Sequence, residues 1–262
     1  MDKNFWIYRA IAGVSSASHF TYPSLRNPAP KLVPLWLLVA VCVAGADVKV
    51  AMGAGDAPYH PKIDPVNFQA TIDNPYNPLV PGTTLKYLEK TGNETSENTV
   101  TVTHDTKMVM GVKCVVVHDA VTENGVVKED TYDWYAQDKQ GTVWYFGEDT
   151  KEFKPGGQVI TEGSWEAGVN GQPGIMMPGH PKPGKPYRQE YSPGHAEDMG
   201  QVTAIGESTT VPAGTFSDCV RTKEWSLLDK LIEKKWYAKG VGVVRTESSD
   251  GEVVTLISVT RP

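Results

Sequence analysis

The chain has 262 residues, 40% of them apolar, enough to bury a core and to exclude disorder along its whole length. Its 25 Lys and Arg against 31 Asp and Glu give a formal charge of −6, the wrong sign for wrapping a phosphate backbone, so no nucleic-acid partner is expected. Twenty-five Gly, 19 Pro and 9% aromatic residues favour short strands and tight turns over long helices.

The first feature along the chain is the uncharged apolar run from Leu32 to Ala46, preceded by Arg26 and Lys31 and closed by Ala44-Gly45-Ala46. A membrane-crossing helix needs roughly 20 apolar residues. This run is shorter and ends in the small-x-small pattern that signal peptidase reads. Residues 1–46 are therefore expected to be a leader and signal peptide cleaved after Ala46, with an uncleaved anchor as the alternative. Cleavage predicts a secreted or periplasmic protein with no stable membrane insertion. Cys42 does not suit lipid attachment, because Val41 stands where a small residue is needed. The long lead before the run points to a translation start downstream of Met1. Cleavage removes four cations (Lys3, Arg9, Arg26, Lys31) and one anion (Asp2), leaving 21 against 30 and a charge of −9. It also leaves Cys114 and Cys219, either bridged in an oxidising compartment or separately buried as thiols.

Residues 47–83 form an irregular lead-in rich in Pro, Asn and Gly, as in Asn74-Pro75-Tyr76-Asn77-Pro78. From residue 84 to 262, runs of β character recur at short spacing with turn residues between them. They cover residues 84–90, 99–109, 112–121, 126–137, 142–148, 158–164, 186–191, 201–207, 214–225, 233–237, 241–246 and 253–259. The one helical candidate is Leu227 to Lys235, and no helix-strand alternation suggests a parallel sheet. The expected fold is mainly β, a single antiparallel barrel or strongly bent meander of about ten to twelve strands.

Asn124-Gly125 is a favoured two-residue hairpin turn, and an unbroken register from it sets Asp119 against Asp130 and His118 against Thr131. A four-residue loop at Asp138 to Gly141 then sets Tyr135 against Trp144 and Glu148 beside Thr131. His118, Thr131 and Glu148 would form one row, with Asp133 on the same face, and Asp119, Asp130 and Asp149 a row on the other. An imidazole with carboxylates suits a divalent metal, zinc or calcium, or general acid-base work. The plainer reading is a histidine satisfied by a carboxylate. Tyr135 and Trp144 would line the cavity. The aspartate row would hold a hard cation or splay into water. A Pro- and Gly-rich stretch, Gly168 to Pro186, reads as a lid or rim carrying His180. In the next strand Arg188 and Glu190 share a face; turned inward, Arg188 would anchor a carboxylate or oxyanion beside Glu190, and turned outward the two make a surface pair. His195 is a further imidazole.

No Gly-x-Ser-x-Gly elbow, His-Glu-x-x-His, Cys-x-x-Cys or dinucleotide fingerprint is present, which argues against serine-triad hydrolases, nucleotide users and redox-cofactor enzymes. The phrases Asp130-Thr-Tyr-Asp-Trp-Tyr-Ala-Gln-Asp138, Val143-Trp-Tyr-Phe-Gly-Glu148, Glu162-Gly-Ser-Trp165 and Tyr187-Arg-Gln-Glu-Tyr191 resemble a family of secreted bacterial proteins of uncharacterised function. The likeness runs from about Val80 to the C-terminus and implies export without supplying a catalytic residue. His195 departs from that family's pattern, which more often has an acid there.

Three functions follow as expectations. The first is an exported hydrolase of a small ester or lactone using a metal-activated water, with His118, Asp133 and Glu148 as ligands or acid-base groups and Arg188 and Glu190 in support. The second is a lipocalin-like barrel that binds an apolar small molecule without catalysis. The third is a structural envelope protein. The partner in the first two is a small molecule, and the sequence assigns neither its identity nor an oligomeric state.

Overall fold

The computed structural model describes residues 59–262; the expected signal peptide, its cleavage site and the first part of the lead-in lie outside the described residues. The first element among the described residues is a 3-10 turn, Pro65–Asn67, capped by the Asp64 carboxylate, which accepts from the Val66 amide. Sixteen strands follow: β1 Phe68–Gln69, β2 Thr84–Thr91, β3 Glu94–Val109, β4 Val112–Glu123, β5 Val126–Asp138, β6 Val143–Phe153, β7 Val159–Ile160, β8 Trp165–Glu166, β9 Gln172–Met177, β10 Tyr187–Arg188, β11 Glu190–Tyr191, β12 Asp198–Val211, β13 Gly214–Ser226, β14 Ile232–Ala238, β15 Gly242–Ser248 and β16 Val253–Thr260. Among the described residues there is no α-helix. The helix expected from Leu227 is instead a turn leading into β14, where Glu233, Lys235 and Tyr237 are buried and Lys234 is exposed, a period of two.

Thirteen segments form one antiparallel path, β10-β12-β13-β14-β15-β16-β2-β3-β4-β5-β6-β9-β11, with β1 beside β5 and both β7 and β8 beside β6. The ends of that path, β10 and β11, are consecutive in the chain and separated by Gln189 alone. Residues 187–191 therefore bond to β12 on one side and to β9 on the other, and the path forms a nearly closed barrel. The amide of Gln189 still donates to the Asp198 carbonyl at 2.8 Å. Gly174 makes this seam possible, because a Cβ there would lie 2.0 Å from the Gln189 carbonyl oxygen. The expected rim at Gly168 to Pro186 thus contains a wall strand, β9, hidden from a sequence reading by its glycine and proline.

Consecutive strands join by tight hairpins, which puts alternate turns at opposite ends of the barrel. The Asn124-Gly125 turn forms as expected, with φ of 51° and 75°. One end is capped by the lead-in. Asn74 donates to the Gly141 carbonyl at 2.7 Å in the β5–β6 turn, and the Pro75 carbonyl accepts from Gly240 at 2.7 Å in the β14–β15 turn. Ile72 and Leu79 are buried there in the core. The other end carries the β2–β3, β4–β5 and β15–β16 turns and opens onto a cavity.

Candidate functional site

Along four strands the buried residues at alternate positions change character from the capped end to the open end. They read Leu85, Tyr87, Glu89 on β2; Tyr135, Asp133, Thr131, Glu129 on β5; Tyr145, Glu148, Thr150, Glu152 on β6; and Tyr237, Lys235, Glu233 on β14. Apolar and aromatic side chains fill the capped half, and carboxylates line the half that leads to the opening. Burying so many acids is costly unless they are hydrogen-bonded, protonated or paired.

Four of the expected site residues do meet inside the barrel. Asp133 and Glu148 lie directly opposite each other on β5 and β6, 2% and 1% exposed. The Tyr145 hydroxyl donates to Asp133 Oδ1 at 2.5 Å, and the Tyr135 ring stacks on Tyr145 at 4.7 Å. Glu190, on β11, completes the group. Burial, with the charges of Asp133, Glu148 and Glu190 nearby, holds both phenols well above the usual tyrosine range, so they act as donors and not as phenolates.

His118 does not join them. A β-bulge shifts the register of the β4–β5 hairpin by one residue: Thr122 pairs with Val127, but Val121 pairs with Glu129, leaving Lys128 unpaired. Every side chain beyond it changes partner relative to the unbroken hairpin. His118 therefore faces Tyr132, stacking on its ring at 4.5 Å, with Nε2 2.6 Å from Asp130 Oδ1 on the outer wall. Asp119 turns inward beside Thr131, and Asp149 is exposed, so the expected aspartate row does not form.

The β5–β6 loop likewise has three residues between Asp138 and Thr142, not four, and a bulge near Tyr135 adds a further shift. Tyr135 pairs with Tyr145. Trp144 pairs with Ala136 on the other face, where its indole donates to Asp138 Oδ2 at 2.9 Å, so Trp144 does not line the same space as Tyr135.

Arg188 and Glu190 are also separated, because the chain crosses from the β12 ladder to the β9 ladder at Gln189. Glu190 is buried; Arg188 stands on the outside, 3.6 Å from Glu197 and 4.9 Å from the Tyr191 ring. His180 and His195 are exposed. Cys114 and Cys219 are free and buried, on strands with five others between them along the sheet, and burial pushes the Cys114 thiol up to about 12.

Several interior groups were not anticipated. Lys235, 1% exposed, is the one Lys or Arg buried to this degree among the described residues. Its Nζ sits 3.0 Å from Glu224 Oε2 and 3.1 Å from Glu233 Oε2. Glu224 Oε1 accepts from Thr222 at 2.6 Å and from Tyr237 at 2.9 Å. Burial works against the Lys235 charge, but Glu224 and Glu233 together outweigh it and hold the ammonium above the usual lysine range. Asp119 accepts from Asn98 at 2.8 Å; burial, with Glu89 adding to it, raises its carboxyl to about 8. Glu89 accepts from Ser96 at 2.6 Å on Oε2, and burial raises the carboxyl to about 7 against the lowering influence of Ser96 and of the nearby Asn98 amide; Oε1 receives no hydrogen bond of ordinary length and angle.

Glu89 also lines the cavity at the open end, whose volume is about 1110 Å3. Glu129, Glu152 and Glu252 are the other deeply buried acids of that lining, while Glu94, Glu123 and Asp250 stand nearer the rim. Two lysines enter it, and both are taken: Lys128 is 2.9 Å from Glu123, and Lys154 is 2.9 Å from Glu152. Val121, Phe153 and Pro155 add an apolar collar. The sequence carries this arrangement as acids at alternate positions, Glu129-x-Thr131-x-Asp133 and Glu148-x-Thr150-x-Glu152.

Among the described residues no three His, Cys, Asp or Glu side chains stand together as a metal-holding group, and no helix is long and apolar enough to cross a membrane. No family model matches the chain, and no curated protein does. A crystal structure from Parabacteroides distasonis ATCC 8503, named as a putative lipoprotein, is similar to it at 15% identity, with a TM-score of 0.39 over 73% of this chain and 100% of that one. That likeness is too loose to bear on function.

Proposed function

We propose that this protein is an exported binding barrel that holds a small molecule in its open-end cavity without turning it over. The observation that carries the reading is the asymmetry of the barrel: one end is closed by residues of the lead-in, and the other opens on about 1110 Å3, slightly above the roughly 300–1,000 Å3 usual for small-molecule sites. Export rests on the run from Leu32 to Ala46 and on the resemblance to secreted bacterial proteins. Neither supplies an activity.

Hydrolysis of an ester or lactone by a metal-activated water stands second. The opposition of Asp133 and Glu148 favours it, but His118 and Arg188 face the other side of the wall. The remaining donors are oxygens, which suit calcium better than zinc.

The test is thermal shift followed by calorimetry, with neutral, anionic and cationic small molecules. A ligand present at 100 times its Kd stabilises the fold by about 2.7 kcal/mol. One-to-one saturable binding that is weakened by Phe153→Ala supports the reading. No response from any charge class at millimolar concentration overturns it. Elemental analysis with an ester and lactone screen checks the second reading, which requires stoichiometric metal and chelator-sensitive turnover.

A further inference from the structure

We propose that the ligand of the open-end cavity is an organic cation, a primary amine or an alkyl diamine, whose ammonium docks on Glu89; this rests on the binding reading above. Seven carboxyl groups and two lysines line the cavity, and each lysine is already paired with one of those acids. An anionic ligand would meet uncompensated like charge there, and a neutral one would leave that charge unanswered.

Acid excess alone would only describe a wet rim. Glu89 adds a separate observation. The residue is 1% exposed and borders the cavity; Ser96 donates to Oε2 and the Asn98 amide lies against the same carboxyl, yet Oε1 receives no hydrogen bond of ordinary length and angle. A buried carboxylate oxygen in this state is a preformed acceptor for a charged N–H donor.

The surroundings favour an amine over an inorganic cation. A divalent ion asks for several oxygen ligands within about 2.6 Å of one point, and among the described residues no group of three acids provides that. The cavity is also far larger than one ion. Val121 and Phe153 offer apolar surface between the buried floor and the rim acids Glu94 and Glu123. A methylene chain lying on that collar would put one ammonium at Glu89 and, in a diamine, a second at the rim.

Calorimetry of the purified protein at pH 8, where Glu89 is ionised, and low ionic strength tests this with cadaverine, its isostere 1,5-pentanediol, glutarate, and calcium or magnesium alone. Cadaverine is expected to bind one to one, with the diol at least about 10-fold weaker and glutarate not binding. Glu89→Gln should weaken cadaverine about 10- to 100-fold with the melting temperature held or raised, whereas Glu162→Gln, exposed and outside the cavity lining, should change it less than about 3-fold. Diol binding equal to that of cadaverine, or indifference to Glu89→Gln, overturns the amine assignment and leaves the binding barrel standing. Stoichiometric calcium or magnesium that displaces cadaverine overturns it in favour of a metal. Silence from every probe removes both readings.

Discussion

Replacing Lys235 by Met removes the charge that Glu224 and Glu233 share while keeping nearly the same unbranched volume. The two carboxylates, 1% and 5% exposed at their side chains and 3.0 and 3.1 Å from the ammonium in the native protein, then face the end of a shorter apolar side chain that offers them no donor. Removing one partner of a buried ionic group costs about 3–5 kcal/mol, because the remaining charge stays desolvated. For a domain of this size that corresponds to a fall in Tm of roughly 6–20 °C. The loss should depend on pH with a definite sign. Burial already raises the Glu233 carboxyl against the lowering influence of Lys235, so without Lys235 it rises further, the folded state holds an extra proton there, and stability is lost as pH rises. The deficit against the native protein should therefore be larger at pH 8 than at pH 5. Urea and thermal unfolding at both values measure it, and Glu224→Gln added to Lys235→Met should recover part of the loss at pH 8. A single variant within about 1 kcal/mol of the native protein at both pH values would refute the argument that the barrel interior depends on this cation.

Other outcomes follow from the same geometry. Glu89 and Asp119 titrate near 7 and 8 in the folded protein, against about 4 when unfolded, so folding takes up protons between about pH 4 and pH 8 and Tm should fall as pH rises through that window. Glu233 acts on Glu89, and Glu89, Glu148 and Lys235 act on Asp119, so Asp119→Asn should flatten the upper part of this dependence. Gly174→Ala would drive a Cβ against the Gln189 carbonyl, costing at least about 2 kcal/mol and lowering Tm by roughly 4–8 °C by calorimetry. Exported, cleaved protein denatured without reductant should show two free thiols, and the native protein should react slowly because Cys114 is buried and un-ionised.

The barrel was legible from strand spacing and turn residues, and the Asn124-Gly125 turn formed where it was expected. Two features hid the site. Register was extrapolated through Lys128 and around the β5–β6 loop, yet a bulge adds one residue to one strand without a sequence signal as strong as a turn, and each such residue exchanges the facing partners. His118 was lost to that shift, while Asp133 and Glu148 met because the two shifts together brought them opposite. The second feature is the length of the inward polar rows, which run past Asp133 and Glu148 to Glu129, Glu152 and, on β14, Glu233 and Lys235. In β5, β6 and β14 they face inward, and only the neighbouring outward residues, Asp130, Tyr132, Lys151 and Lys234, could have warned that both faces of these strands are polar. Lys235 between Glu233 and Tyr237 was equally readable, as a cation where an inward row needs one.

The ring has a second junction besides the one at Gln189: β16 pairs with β2, so a strand near the C-terminus completes a wall begun more than 160 residues earlier. Until β16 arrives, β2 presents a row of unsatisfied amides and carbonyls able to recruit a strand from another molecule. A chain emerging N-terminus first would hold that edge open longest, so truncation at Val253 should leave β2 as a template for aggregation, and a folding helper that covers β2 would protect the unfinished protein.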